Sequence, residues 1–220
     1  AGRGDTYGNL ADDILKKRTD AKLNQGQNFN KLIQYAIWGP QSPATHVLST
    51  AELQQMDPQE LVDRIHKINT YEHKILYYGP EKPQALLDIV KQYHNVPEKL
   101  VPVPAATEFK QQETPKNKVL LAQYDAKQIY FSAVSNRGEK FDPSIEPTLN
   151  MYNEYFGGGM NAIVFQEMRE ARGLAYSAGA YLITPSKLKY PYVYRTFIAT
   201  QNDKMIDAMK AFDDIINNMP

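Results

Sequence analysis

Apolar residues recur at helical spacing through the first seventy positions of the chain, and the pattern then tightens toward strands. Leu10, Ile14, Leu15 and Leu23 form one stripe of a helix spanning Leu10–Leu23. Phe29, Leu32, Ile33 and Ala36 do the same over Phe29–Ile37, which Gly39-Pro40 closes. A third helix fits Pro58–Ile68, with Asp57 as its N-cap and Pro58 at its first position. The run Lys74–Tyr78 is short, apolar and aromatic, ends at Gly79-Pro80 and predicts a strand. Leu86, Leu87, Ile89 and Val90 predict a helix over Pro83–Tyr93. Prolines at 97, 102, 104 and 115 favour an extended surface path over Val96–Pro115. Strands are expected at Val119–Tyr124 and Gln128–Val134, joined by a hairpin loop at Tyr124–Lys127. Helices follow at Pro143–Tyr155 and Ile163–Ala171, strands at Ala175–Ile183 and Tyr190–Thr200, and a helix at Asp203–Asn217.

This order predicts an α+β fold, an antiparallel or mixed sheet with helices packed on one face. The first 69 residues read as a helical section, and the mixed pattern of strands and helices runs over residues 70–220. With 220 residues and 42% hydrophobic content the chain can bury a sizeable core. Lys plus Arg and Asp plus Glu balance at 25 each, so no global basic field favours nucleic acid or an anionic membrane. There is no Cys, which removes disulfides, zinc–thiolate clusters and cysteine nucleophiles while leaving the compartment open. No apolar run is long enough to span a bilayer as a helix. The chain starts at Ala1 rather than Met and stops just after a helical pattern at Ile215–Met219. It is therefore expected to be a piece of a longer polypeptide, truncated at its C-terminus.

The chemistry concentrates between Tyr155 and Ser177. Gly157, Gly158 and Gly159 carry no Cβ, so the triplet either turns the chain between two helices or exposes N–H groups to an approaching backbone. No Lys-Ser/Thr follows it, which argues against a nucleotide phosphate loop. In the next helix Ile163, Val164, Phe165 and Met168 face inward, and Gly173 is placed to end it as a left-handed cap. Arg169 and Arg172 sit where cations complement the helix dipole, and Tyr176 opens the following strand. On these grounds alone the trio needs no role beyond packing.

The run Tyr155-Phe156-Gly157-Gly158-Gly159-Met160, with Phe165-Gln166-Glu167-Met168-Arg169-Glu170-Ala171-Arg172-Gly173-Leu174-Ala175-Tyr176-Ser177, resembles the zinc-free half of the pitrilysin/insulinase-type zinc metallopeptidases, which include mitochondrial processing peptidase. The match departs at Ala171, where a Lys is common. The resemblance implies an α+β domain, and places residues 1–69 at the end of a preceding homologous domain. It implies that Arg169 and Tyr176, seven positions apart, hydrogen-bond a bound peptide near its scissile carbonyl and stabilise the oxyanion. It assigns Gly157, Gly158 and Gly159 to substrate binding and leaves Arg172 a packing or salt-bridge role.

The same resemblance implies zinc in the parent enzyme and none in this chain. The catalytic half of the family carries His-x-x-Glu-His, two zinc ligands with a general base between them, and a distal Glu. This chain has only His46, His66, His73 and His94. Its nearest approach, Asn69-Thr70-Tyr71-Glu72-His73, has Asn at the first ligand position, and His66 and His73 are expected at the surface. The implied function is the non-catalytic, substrate-binding C-terminal domain of a zinc metalloendopeptidase, inactive alone. Its partners are peptide substrate and a zinc-binding N-terminal half, on the same chain or on a separate catalytic subunit. The alternative is a non-proteolytic scaffold or assembly subunit derived from the same family.

Overall fold

The computed structural model describes residues 2–219, with side chains from Thr6 onward. These residues fall into two units. One comprises the segment up to Arg18 together with Leu48–Glu108, and the other Thr19–Val47 with the chain from Phe109 on.

In the first unit, helix α1 (Gly2–Lys22, shared between the units) precedes α3 (Thr50–Gln55), α4 (Pro58–Ile68) and α5 (Pro83–Tyr93). The N-terminus of α3 carries a capping box, in which Ser49 and Glu52 each satisfy a backbone N–H of the other. The Asp57 carboxylate accepts from the Gln59 N–H, and Pro58 follows it as the first residue of α4, as the sequence predicts. The strand expected at Lys74–Tyr78 does not form. A single parallel bridge joins Tyr71 to Val101, and Leu76 and Tyr78 lie exposed beyond it. An apolar, aromatic run has the propensity for a strand, but a strand needs a neighbouring edge to take its hydrogen bonds.

The second unit is built on an antiparallel sheet. Helix α2 (Gln25–Trp38) comes first, then β1 (Gln128–Phe131), β2 (Val134–Ser135), α6 (Glu146–Phe156), α7 (Ile163–Phe165), β3 (Ser177–Ile183), β4 (Val193–Gln201) and α8 (Met205–Asn217). Strand β4 is central. It pairs along one edge with β3 and along the other with β1 and β2. The expected strand Val119–Tyr124 and its hairpin do not form: this segment is irregular, with Val119 and Leu121 exposed. The expected strand Gln128–Val134 is interrupted rather than absent. Phe131 faces Ile198 and Val134 faces Arg195, so the register continues across the break. The break itself arises because the Thr196 hydroxyl takes the Ala133 N–H.

Side-chain alternation divides this sheet into two faces. On one, Ala178, Ala180 and Ile198 pack beneath Phe156 of α6, Val164 of α7, Met168 and the apolar stripe Ala208, Ala211, Phe212 and Ile215 of α8. This is the core. The opposite face carries Tyr130, Tyr181, Arg195 and Phe197 and meets α2, whose Phe29 ring lies 5.5 Å from Tyr130 and 6.1 Å from Phe197.

Candidate functional site

Between α7 and β3 the backbone departs from a simple helix. Residues Gln166–Ala171 form a π-helical segment, and the Arg172 N–H reaches back five residues to the Glu167 carbonyl. Wholly buried Met168 anchors this segment in the core, and its carbonyl accepts from both the Leu174 and Ala175 N–H groups. Gly173 then reverses the chain at φ +58°, the left-handed conformation its position predicts, which a side chain would strain. Single π turns inside helices occur often at functional sites. Nothing in the apolar stripe Ile163–Met168 announces this one, since the same spacing serves an ordinary α-helix.

The turn at Gly173 brings Arg169 and Tyr176 together at the end of β3. The guanidinium carbon of Arg169 lies 5.4 Å from the Tyr176 ring centre and 5.0 Å from that of Phe165. A cation held between two ring faces keeps its in-plane N–H donors pointing outward. Its Nε also meets Glu170 at 3.5 Å. Both side chains are open to solvent, Arg169 at 44% and Tyr176 at 69%. Backbone pairing of the Tyr176 N–H with the Ala199 carbonyl at 2.9 Å fixes the base of the ring, while its hydroxyl has no hydrogen-bond partner among the described residues. The arrangement offers a phenolic O–H and guanidinium donors side by side, suited to a carbonyl or a developing oxyanion.

Arg172 points the other way. Its guanidinium bonds Asp214 of α8 at 2.9 Å and meets Glu167 at 3.5 Å, a bridge between the π-helical turn and α8. That hydrogen bond is the largest cause both of the raised pKa of Arg172 and of the lowered pKa of Asp214.

The three glycines differ from one another. A Cβ on Gly157 would stand 2.1 Å from the Ala180 carbonyl oxygen and 2.4 Å from its nitrogen, so Gly157 lets α6 press against the backbone of β3. A Cβ on Gly158 would meet the Asn153 carbonyl oxygen at 2.6 Å. Gly159 faces open space and is exposed. Nearby, the Asn153 side-chain amide takes the Leu182 N–H at 2.9 Å and donates to the Leu182 carbonyl at 3.0 Å, binding α6 to the outer edge of β3.

Among the described residues no three His, Cys, Asp or Glu converge where a metal ion could sit. His66 and His73 are both exposed. The His73 Nε2 faces the His94 Nε2 at 2.7 Å, and its Nδ1 faces the Tyr71 carbonyl. Two imidazoles fall short of the three protein ligands a catalytic zinc requires, so this pair does not fit that ion.

A family model described as the peptidase M16 inactive domain matches residues 73–219. Among solved structures, the peptidase M16 inactive domain from Pseudomonas fluorescens aligns with a TM-score of 0.67 at 17% identity, over 98% of this chain and 52% of that one. A protease from Helicobacter pylori aligns with a TM-score of 0.51 at 13% identity, over 77% of this chain and 40% of that one. The chain thus spans about half or less of the length of these two structures. No curated protein matches it.

Proposed function

The chain belongs to the peptidase M16 inactive-domain family, and from that membership we propose that it is the zinc-free, substrate-binding half of a zinc metallopeptidase. The observation that carries the reading is the Arg169–Tyr176 pair, two exposed side chains whose guanidinium carbon and ring centre stand 5.4 Å apart, placed there by a π turn and a left-handed glycine. A peptide laid along the end of β3 presents a carbonyl to these donors. The Tyr176 hydroxyl and the Arg169 N–H groups hydrogen-bond that oxygen and strengthen their hold as it becomes negative. Orientation and charge stabilisation are the contribution of this half. The metal chemistry belongs to a zinc-bearing half, either on the same polypeptide or as a separate subunit.

The glycine loop has a secondary role in this reading. Gly157 and Gly158 hold the chain close to β3 and to α6, and Gly159 offers the exposed backbone that a peptide can approach. Residues 1–69, preceding the segment matched by the family, are assigned to the end of an adjoining homologous domain that lends helix α2 to the face of this sheet.

The test is Tyr176→Phe in the intact enzyme, assayed with a quenched fluorescent peptide. Loss of one oxyanion donor predicts a kcat lower by ~10- to 1000-fold with KM changed far less. Unchanged turnover removes Tyr176 from the mechanism. An intact parent that folds and assembles but cleaves no peptide, even with wild-type Tyr176, would favour a scaffold instead.

A further inference from the structure

The sheet face turned away from the core holds a cavity of about 400 Å³ beneath the first two turns of α2. Its size lies within the range of small-ligand sites. Three rings form one wall: Phe29 with Tyr130 at 5.5 Å and Tyr130 with Phe197 at 5.8 Å, both edge-to-face, and Phe29 tilted against Phe197 at 6.1 Å. Opposite Phe197 in the register stands Gly179, and the Tyr181 ring leans over that gap, its Cε2 3.0 Å from where a Cβ would be. The Tyr181 ring fills the space that a side chain at position 179 would take and adds a fourth ring to the lining.

The same cavity is lined by Arg195, the direct cross-strand neighbour of Tyr181. Its Nε lies 3.4 Å from the Ser132 Oγ, which in turn bonds the Thr196 carbonyl. No carboxylate among the described residues lies within ion-pair distance of it. Burial pulls its pKa below the ordinary arginine range, with the Tyr181 phenol acting in the opposite sense. A guanidinium part-way out of water without a counter-charge is costly and gains from an anion. The first turn of α2 reaches the same cavity through Gly26, and the N-terminus of that 14-residue helix adds partial positive charge there.

We propose that this cavity binds an aromatic or branched apolar group carrying a single carboxylate, of the kind presented by the free C-terminal residue of a peptide. The apolar group packs among Phe29, Tyr130 and Phe197, and the carboxylate takes the Nη donors of Arg195 in a bidentate pair. One guanidinium balances one negative charge, which fits a carboxylate and not a phosphate dianion. The inference stands on this face of the sheet and does not depend on the role given to Arg169 and Tyr176.

The experiment titrates the isotopically labelled 220-residue chain with N-acetyl-phenylalanine, N-acetyl-phenylalaninamide and N-acetylglutamate α-amide, following amide chemical shifts. N-acetyl-phenylalanine is expected to bind about 10- to 100-fold more tightly than its amide, the effect of a charge-assisted hydrogen bond. Its shifts should map to Tyr130, Tyr181 and Phe197. The glutamate derivative brings a side-chain carboxylate without a ring and is expected to bind at least tenfold more weakly. Arg195→Gln should abolish the preference for acid over amide. The proposal is overturned if acid and amide bind alike, if neither binds at ~10 mM, if the shifts map elsewhere, if the glutamate derivative binds equally well, or if Arg195→Gln keeps the preference. Should Arg195→Gln fail to fold, the wild-type ratio and shift map decide the matter.

Discussion

Replacing Gly157 with Ala introduces one methyl where the backbone of β3 already stands. The added Cβ would lie 2.1 Å from the Ala180 carbonyl oxygen, 2.4 Å from its nitrogen and 2.8 Å from its carbonyl carbon. These are backbone atoms of a paired strand, so no rotamer change relieves them. To bring the 2.1 Å contact to an ordinary one, α6 and β3 must separate by more than about 1 Å, and a gap of that size forfeits about half or more of each facing dispersion contact. Phe156 and Ala180, both wholly buried, lie next to that gap. The two hydrogen bonds from the Asn153 side chain to Leu182 span it, and each contributes ~0.5–1.5 kcal/mol. Together with the overpacking itself, the expected cost is ~2–4 kcal/mol. For a chain of this size that lowers Tm by on the order of 10 °C. Urea and thermal unfolding of Gly157→Ala beside Gly159→Ala would measure it. The second variant, whose Cβ meets nothing within 4 Å, should stay within ~0.5 kcal/mol of wild type. Equal stability of both variants would refute a packing role for Gly157.

Asn153→Ala removes both hydrogen bonds at once and leaves the Leu182 N–H and C=O without their partner. Urea unfolding should show a loss of ~1–3 kcal/mol, and faster amide exchange at Leu182 should accompany it. Asp214 titrates below its ordinary range because of Arg172, so the bridge contributes stability above the unfolded carboxylate pKa and loses it as pH falls through the lower folded value. Arg172→Ala should therefore destabilise near neutral pH and flatten the dependence of Tm on pH below about pH 4. A wild-type acid slope surviving in that variant would contradict the sign.

How much of this was legible in the sequence depends on whether the signal was local. Gly173 as a left-handed cap and Asp57 as an N-cap follow from single residues at fixed offsets, and both hold. Of the packing or salt-bridge role expected for Arg172, the structure has the salt bridge, to a partner in α8 that lies 42 positions away and cannot be read from spacing. Propensity failed where the outcome depended on a distant neighbour. Lys74–Tyr78 and Val119–Tyr124 have strand composition, yet neither segment pairs along its length. The local capping signal Ser49-x-x-Glu52 was present for α3, but no apolar periodicity drew attention to it. At the site, the proximity of Arg169 to Tyr176 was expected from a resemblance rather than from periodicity. The π turn that produces it left no mark on the apolar pattern, and the separate packing of Gly157 against Ala180 depends on a strand 23 residues on.

The most direct test of the central claim is a double-mutant cycle on kcat in the intact enzyme, using Arg169→Ala, Tyr176→Phe and the pair. If the two donors hold one carbonyl together, each single change lowers kcat by ~10- to 1000-fold, and the double variant falls little below the worse single one. Four enzymes turning over peptide at the same rate would mean that this pair of side chains packs and does not orient substrate.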